Sequence, residues 1–126
     1  MATEFKSQIC TTVEQSKKLL ALGLKKETAD MNYTRLSRAD SWTLFIGKPL
    51  GYEAIPTEYL IPAWSLHRLI KMMPNVIDTQ GWLSIGHQGL HYSRGYGVAD
   101  DGLYESIVRM YEWLIKEGYF NKEYLV

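Results

Sequence analysis

Apolar residues recur along this chain with two periods, and each period marks out its own elements. A helical spacing appears first over residues 12–22, where Val13, Leu19 and Leu20 share a side. Thr11-Thr-Val-Glu14 has the capping-box spacing, a threonine oxygen for a backbone N–H and a glutamate to reach back. Gly23 supplies a left-handed stop, which brings Leu24 back onto Leu19. Leu66, Leu69, Ile70 and Met73 then fall at i, i+3, i+4 and i+7 of a second helix. The pattern starts that helix at Ile61-Pro62, because proline loses nothing at the first helical position, and Pro74-Asn75 ends it. Its narrow stripe leaves His67, Arg68 and Lys71 facing solvent. The strongest stripe is Leu103, Ile107, Met110, Tyr111 and Leu114, widened by Val108, Trp113 and Ile115. It predicts a helix over 101–117, capped by Asp100 or Asp101 and stopped by Gly118, with Tyr119 folded back on Leu114.

Alternation marks the strands. Ser41-Trp-Thr-Leu-Phe-Ile46 sets Trp42, Leu44 and Ile46 on one face and Phe45 on the other, which predicts a central strand. Gly47-Lys-Pro-Leu-Gly51 reads as a turn, and residues 52–60 have no period and read as a loop. Residues 81–86 and 90–94 read as a hairpin around a Gln88-Gly89 turn, pairing His87 with Leu90, Ile85 with Tyr92 and Leu83 with Arg94. The tail, 119–126, is long enough for a last strand. No repeat or linker divides the chain. The expectation is one α+β domain over residues 1–126, a small antiparallel sheet with about three helices packed against it. From residue 41 onward the order β-α-β-β-α-β is that of a ferredoxin-like fold.

Composition narrows the function classes. At 126 residues, 46% apolar and 22% charged, the chain can build its core without a disulfide or a metal. Fourteen basic residues balance fourteen acidic ones, which counts against a general nucleic-acid binder without excluding a local basic patch. A lone Cys10 excludes an internal disulfide and a multi-cysteine zinc site, and beside Ile9 it reads as a small hydrophobe. The opening residues lack an apolar leader and no stretch is long enough to span a membrane, so the expected location is cytoplasmic.

Candidate chemistry gathers in Ile85-Gly-His-Gln-Gly-Leu-His-Tyr-Ser-Arg-Gly-Tyr-Gly97, which holds four of the ten glycines. His87 and His91 flank the turn, and with Asp100 or Asp101 they could hold a metal, but the pairing sets them on opposite faces. Ser65, Ser84 and Ser93 lack the strand–turn–helix elbow of a nucleophile. Asp100-Asp101 is explained by capping and the helix dipole, and the same dipole accounts for Lys17-Lys18 and Lys25-Lys26. No phosphate loop or dinucleotide fingerprint is present, so no cofactor or metal is assigned. Arg94-Gly-Tyr-Gly97 matches the opening of the RNP1 motif, where a basic residue and aromatics meet RNA, although Val98 stands where a second aromatic belongs.

Residues 12–24, 28–31, 61–70 and 104–114 together resemble small uncharacterised proteins of gut bacteria and their prophages. The resemblance implies a free-standing protein of this size in a bacterial or phage setting, and no activity or catalytic residue. The leading expectation is a non-enzymatic accessory module that binds a protein partner or its own copy through the hairpin surface. The contacts would be Tyr92, Arg94 and Tyr96, with His87 and His91 beside them. One alternative is single-stranded RNA or DNA on the same face, with Tyr92 and Tyr96 stacking and Arg94 on phosphate. The other is a small metal-dependent enzyme, which requires the histidines and an aspartate to converge.

Overall fold

The structure, a computed structural model, describes residues 8–86, 89–99 and 102–126. In chain order its main elements are α1 (Val13–Ala21), β1 (Met31–Thr34), β2 (Thr43–Ile46), β3 (Leu60–Ala63) and α2 (Leu66–Met72). They continue with β4 (Val76–Ile77), β5 (Gly81–Ile85), β6 (Gly89–Tyr92), β7 (Gly97–Ala99) and α3 (Leu103–Lys116). The fold is α+β, with three helices and antiparallel strands, as the periodicity predicts. The strands form two sheets, however: a three-stranded one ordered β2-β1-β3 and a four-stranded meander β4-β5-β6-β7. The ferredoxin-like order is therefore replaced, because β1, β4 and β7 are each too short to leave a clear alternation.

The helices keep their stripes and shift their ends. In α1 the capping box is formed by Thr12 and Gln15, one residue later than the sequence suggests. Gln15 Nε2 also donates to Glu105 Oε1 at 2.7 Å, tying α1 to α3. Gly23, at φ 102°, lets its own N–H reach Leu20 O and that of Leu24 reach Leu19 O, closing α1 as expected. Gly118 does the same for α3, where the Tyr119 N–H reaches Leu114 O at 2.9 Å. The expected Asp100 or Asp101 cap lies outside the described residues. The tail pairs by a single bridge between Leu125 and Leu24 after one 3-10 turn.

The proline-led segment is a correction. Ile61-Pro62 is extended in β3 and the helix begins four residues later, where Ser65 accepts the Arg68 N–H as N-cap. Hydrogen-bonded pairs alternate along an antiparallel ladder, and the Arg35 N–H donates to Tyr59 O at 3.2 Å. That phase gives Tyr33 and Met31 the bonds to β3 and turns the Pro62 nitrogen away from β1. Proline costs nothing at such an outer position. The 52–60 stretch, expected to be a loop, carries two 3-10 turns and the first residue of β3.

The main core joins Leu19, Trp64, Leu69, Leu90, Tyr92 and the buried face of α3. Tyr111 Oη donates to Leu69 O at 2.6 Å and so fixes α3 to α2. A second, much smaller cluster of Cys10, Met31 and Ala63, with Tyr33 and Leu44 against it, fills one face of the three-stranded sheet. Cys10 is buried there, and burial raises its thiol pKa.

Candidate interaction surface

The glycine-rich ribbon is shaped by packing. Ile85 pairs with Leu90 and Leu83 with Tyr92, two residues away from the register expected above. The Gly86 N–H donates to Gly89 O, so Gly89 belongs to the strand, and residues 87–88 lie outside the described residues. A shift of two leaves each side chain on its expected face. A second hairpin follows, pairing Leu90 with Val98 and His91 with Gly97. Its turn is held by Gln80, whose backbone oxygen accepts the Arg94 N–H at 2.7 Å and whose Oε1 accepts the Tyr96 N–H at 3.1 Å. Three of the four glycines have a local cause: a Cβ on Gly95 would overlap Gln80 Oε1, and one on Gly89 would overlap the Val98 carbonyl oxygen. A Cβ on Gly97 would sit 2.9 Å from that of His91. The likeness to RNP1 thus falls on a tight turn.

Of the five residues expected to make contacts, the four that are described do not share a surface. Tyr92 is 1% exposed, packs beneath α3, and donates its hydroxyl to Pro74 O at 2.8 Å. Burial pushes its pKa up to about 12. Tyr92 is therefore a core residue, a correction to its expected role. Tyr96 is half-buried and stacks on Trp113, with centroids 4.5 Å apart and planes 5° from parallel, which occupies one face of its ring. Arg94 is exposed at the turn, where Nη2 donates to Asp78 O at 3.2 Å. His91 is exposed on the outer face of the sheet opposite Ser84, and His87 lies outside the described residues.

Of the remaining chemical candidates, Asp100 and Asp101 lie, like His87, outside the described residues. Among the described residues no three His, Cys, Asp or Glu side chains gather to hold a metal. Ser65 donates its hydroxyl to Asp30 and accepts the Arg68 N–H, so both of its roles serve the cap of α2. The Ser93 hydroxyl accepts the Trp82 N–H. A shallow hollow of about 550 Å³ lies over Gly86, Gly89, His91 and Gly97, and another of about 480 Å³ lies between Arg35, Asp40 and Phe45. Arg35 lies over the Trp42 ring at 4.2 Å.

What packing does not explain is the outer edge of the three-stranded sheet. The sequence pattern places β2 centrally, yet among the described residues it pairs with β1 alone and forms an edge. Its apolar residues on both faces are not buried by neighbours: Ile46 is 84% and Phe45 39% exposed. Leu50 is exposed just beyond it. The Gly47 N–H donates to Asp30 O, so by alternation Phe45 and Thr43 bond β1, while Leu44 and Ile46 turn their N–H and C=O groups outward. The other strand edges are blunted. β4 has two residues, β7 is the short Gly97-Val-Ala99, and β3 carries Pro62. β2 has no charge or proline within it. Sequence reasoning missed this because Met31–Thr34, the strand that makes β2 an edge, is four residues long and half polar. A second apolar spot is Val76 against Trp82 across β4 and β5, both more than half exposed, on a strand of only two residues.

Among the described residues no helix is long and apolar enough to cross a membrane. No family model, curated protein or solved structure matches the chain.

Proposed function

We propose that this chain is a non-enzymatic protein-interaction module that binds by adding a strand to the β2 edge. The observation that carries the reading is the uncharged edge Thr43–Ile46, with outward backbone groups at Leu44 and Ile46 beside the exposed Ile46 and Phe45 side chains. Strand addition takes affinity from main-chain hydrogen bonds and selectivity from alternate side chains, and β2 offers both. The contact surface moves from the hairpin of residues 85–97 to the opposite sheet, because Tyr92 is core and Tyr96 is half-covered by Trp113.

The test is a photoreactive amino acid placed at Ile46, and separately at His67 on the exposed side of α2, in cells that make the protein. Irradiation is expected to give a covalent protein adduct from position 46 and none from position 67. No adduct from 46, or equal adducts from both, would overturn the reading.

A further inference from the structure

Resting on that reading, we infer that the occupant of the β2 edge is a second copy of this chain, paired antiparallel about a twofold axis through Leu44. The backbone fixes the allowed registers. The groups that face outward belong to even-numbered residues, so two β2 edges can exchange hydrogen bonds only where even residues stand opposite even residues. Placing Leu44 opposite its own copy satisfies this condition symmetrically. Leu44 then exchanges two bonds with the copy's Leu44, and Trp42 and Ile46 exchange two at each end, roughly six in all.

Side chains agree with this register. Residues directly opposite point to the same face, so Ile46 meets the Trp42 of the second copy, over whose ring Arg35 of its own chain lies. On the opposite face Thr43 meets Phe45. The exposed Ile46 and Phe45 are thereby covered without any new pocket. Charge agrees as well. Asp40 precedes the strand and Lys48 follows it, and antiparallel pairing brings the end carrying Asp40 to the end carrying Lys48, twice per dimer. A parallel arrangement would set like against like. The contact is one short strand wide, well under a standard interface, so the dimer is a weak one.

Sedimentation equilibrium from about 5 µM to about 500 µM tests this, with circular dichroism to check each variant's fold. The wild-type chain is expected to dimerise and Ile46→Lys to stay monomeric, since a lysine on an edge opposes strand addition. Asp40→Lys and Lys48→Asp should each weaken the dimer roughly tenfold through two lost and reversed pairs. The double variant Asp40→Lys/Lys48→Asp should restore it to near wild type. A wild-type monomer at the highest concentration overturns the inference, as does dimerisation that survives Ile46→Lys or a charge reversal without rescue. The two proposals fail differently. A monomer whose Ile46 photoadduct contains another protein removes the self-pairing and leaves the interaction module. Absence of any adduct at Ile46 removes both.

Discussion

Adjacent threonines at the start of α1 have different roles, and exchanging each in turn measures the difference. Thr12 is the N-cap: its hydroxyl accepts the Gln15 N–H at 3.1 Å from an exposed position. Thr11, the residue that the sequence spacing favours for the cap, is fully buried. Its hydroxyl accepts the Trp64 N–H at 3.1 Å and lies 2.7 Å from Ser16 Oγ. Valine has the shape of threonine, so Thr11→Val opens no cavity and removes only the oxygen. It leaves the Trp64 N–H and the Ser16 hydroxyl buried without partners, at about 1–3 kcal/mol each, so the expected loss is about 3–4 kcal/mol. Thr12→Ala removes an exposed cap and should cost about 1 kcal/mol. Urea unfolding followed by Trp fluorescence separates the two. With a slope of about 2 kcal/mol/M, Thr11→Val should lower the midpoint by about 1.5–2 M and Thr12→Ala by about 0.5 M. Adding Ser16→Ala to Thr11→Val removes one orphaned group and should recover about 1 kcal/mol. Equal costs for the two single variants, or a larger one for Thr12→Ala, would refute the assignment.

Two further perturbations address the ribbon and the core. Gly89→Ala should destabilise by about 3 kcal/mol or more, because the new Cβ meets the rigid Val98 carbonyl oxygen, whereas Gly95→Ala should cost about 1 kcal/mol by pushing aside the flexible Gln80 side chain; thermal unfolding ranks the pair. Alkaline unfolding should set in above pH 10, because burial raises the phenol of Tyr92 to about 12 and also raises those of Tyr33, Tyr104 and Tyr111. Between the unfolded value near 10 and the folded one, the unfolded chain holds fewer protons, so the stabilisation is complete below pH 10 and is lost as pH rises through 12. Tyr92 alone contributes roughly 2 kcal/mol of it, and a Tyr92→Phe variant should show a shallower loss in a denaturant titration at pH 11.

The helices were legible because their signals are local. The stripe of α3, the Gly23 and Gly118 stops, and the apolar face of α2 each follow from residues within a few turns of one another. What was not legible depends on partners distant in sequence. Whether Ile61-Pro62 starts a helix or lies in a strand is decided by Met31–Thr34, which pairs with it, and by Asp30, which accepts both the N–H and hydroxyl of Ser65. The central-strand expectation for β2 failed for a related reason. Apolar residues on both faces usually mean burial on both faces, but here Phe45 and Ile46 remain exposed and no strand among the described residues lies beyond them. Tyr92 in turn was placed on the working surface by the local cluster of glycines and aromatics. The alternation that sets it on the inner face with Leu90 is present in the sequence, and burial beneath α3 follows it.

The way the small sheet is attached explains why its outer strand is suited to binding, and it gives a residue-level test. Among the described residues, the side-chain hydrogen bonds that tie that sheet to α1 and α2 are made by β1 or β3 and the residues beside them. Tyr33 Oη donates to Thr11 O, Thr11 exchanges bonds with Trp64, and Asp30 clamps Ser65. β2 has its ladder to β1 and the packing of Leu44 on the small Cys10, Met31 and Ala63 cluster. A strand so held contributes little to global stability, so Ile46→Lys should change binding while leaving the unfolding midpoint within about 0.5 kcal/mol. Its amides also carry a signature. In the monomer the Phe45 N–H is bonded to β1 and should exchange slowly, while those of Leu44 and Ile46 face water and should exchange at open-chain rates. Pairing through the twofold at Leu44 protects the even positions without altering the odd ones. Hydrogen exchange read by NMR at about 20 µM and about 500 µM should therefore slow at Leu44 and Ile46 and stay constant at Phe45. Slowing at all three would mean that the whole sheet has stiffened, and slowing at Val76 and Trp82 instead would put the contact on the other sheet.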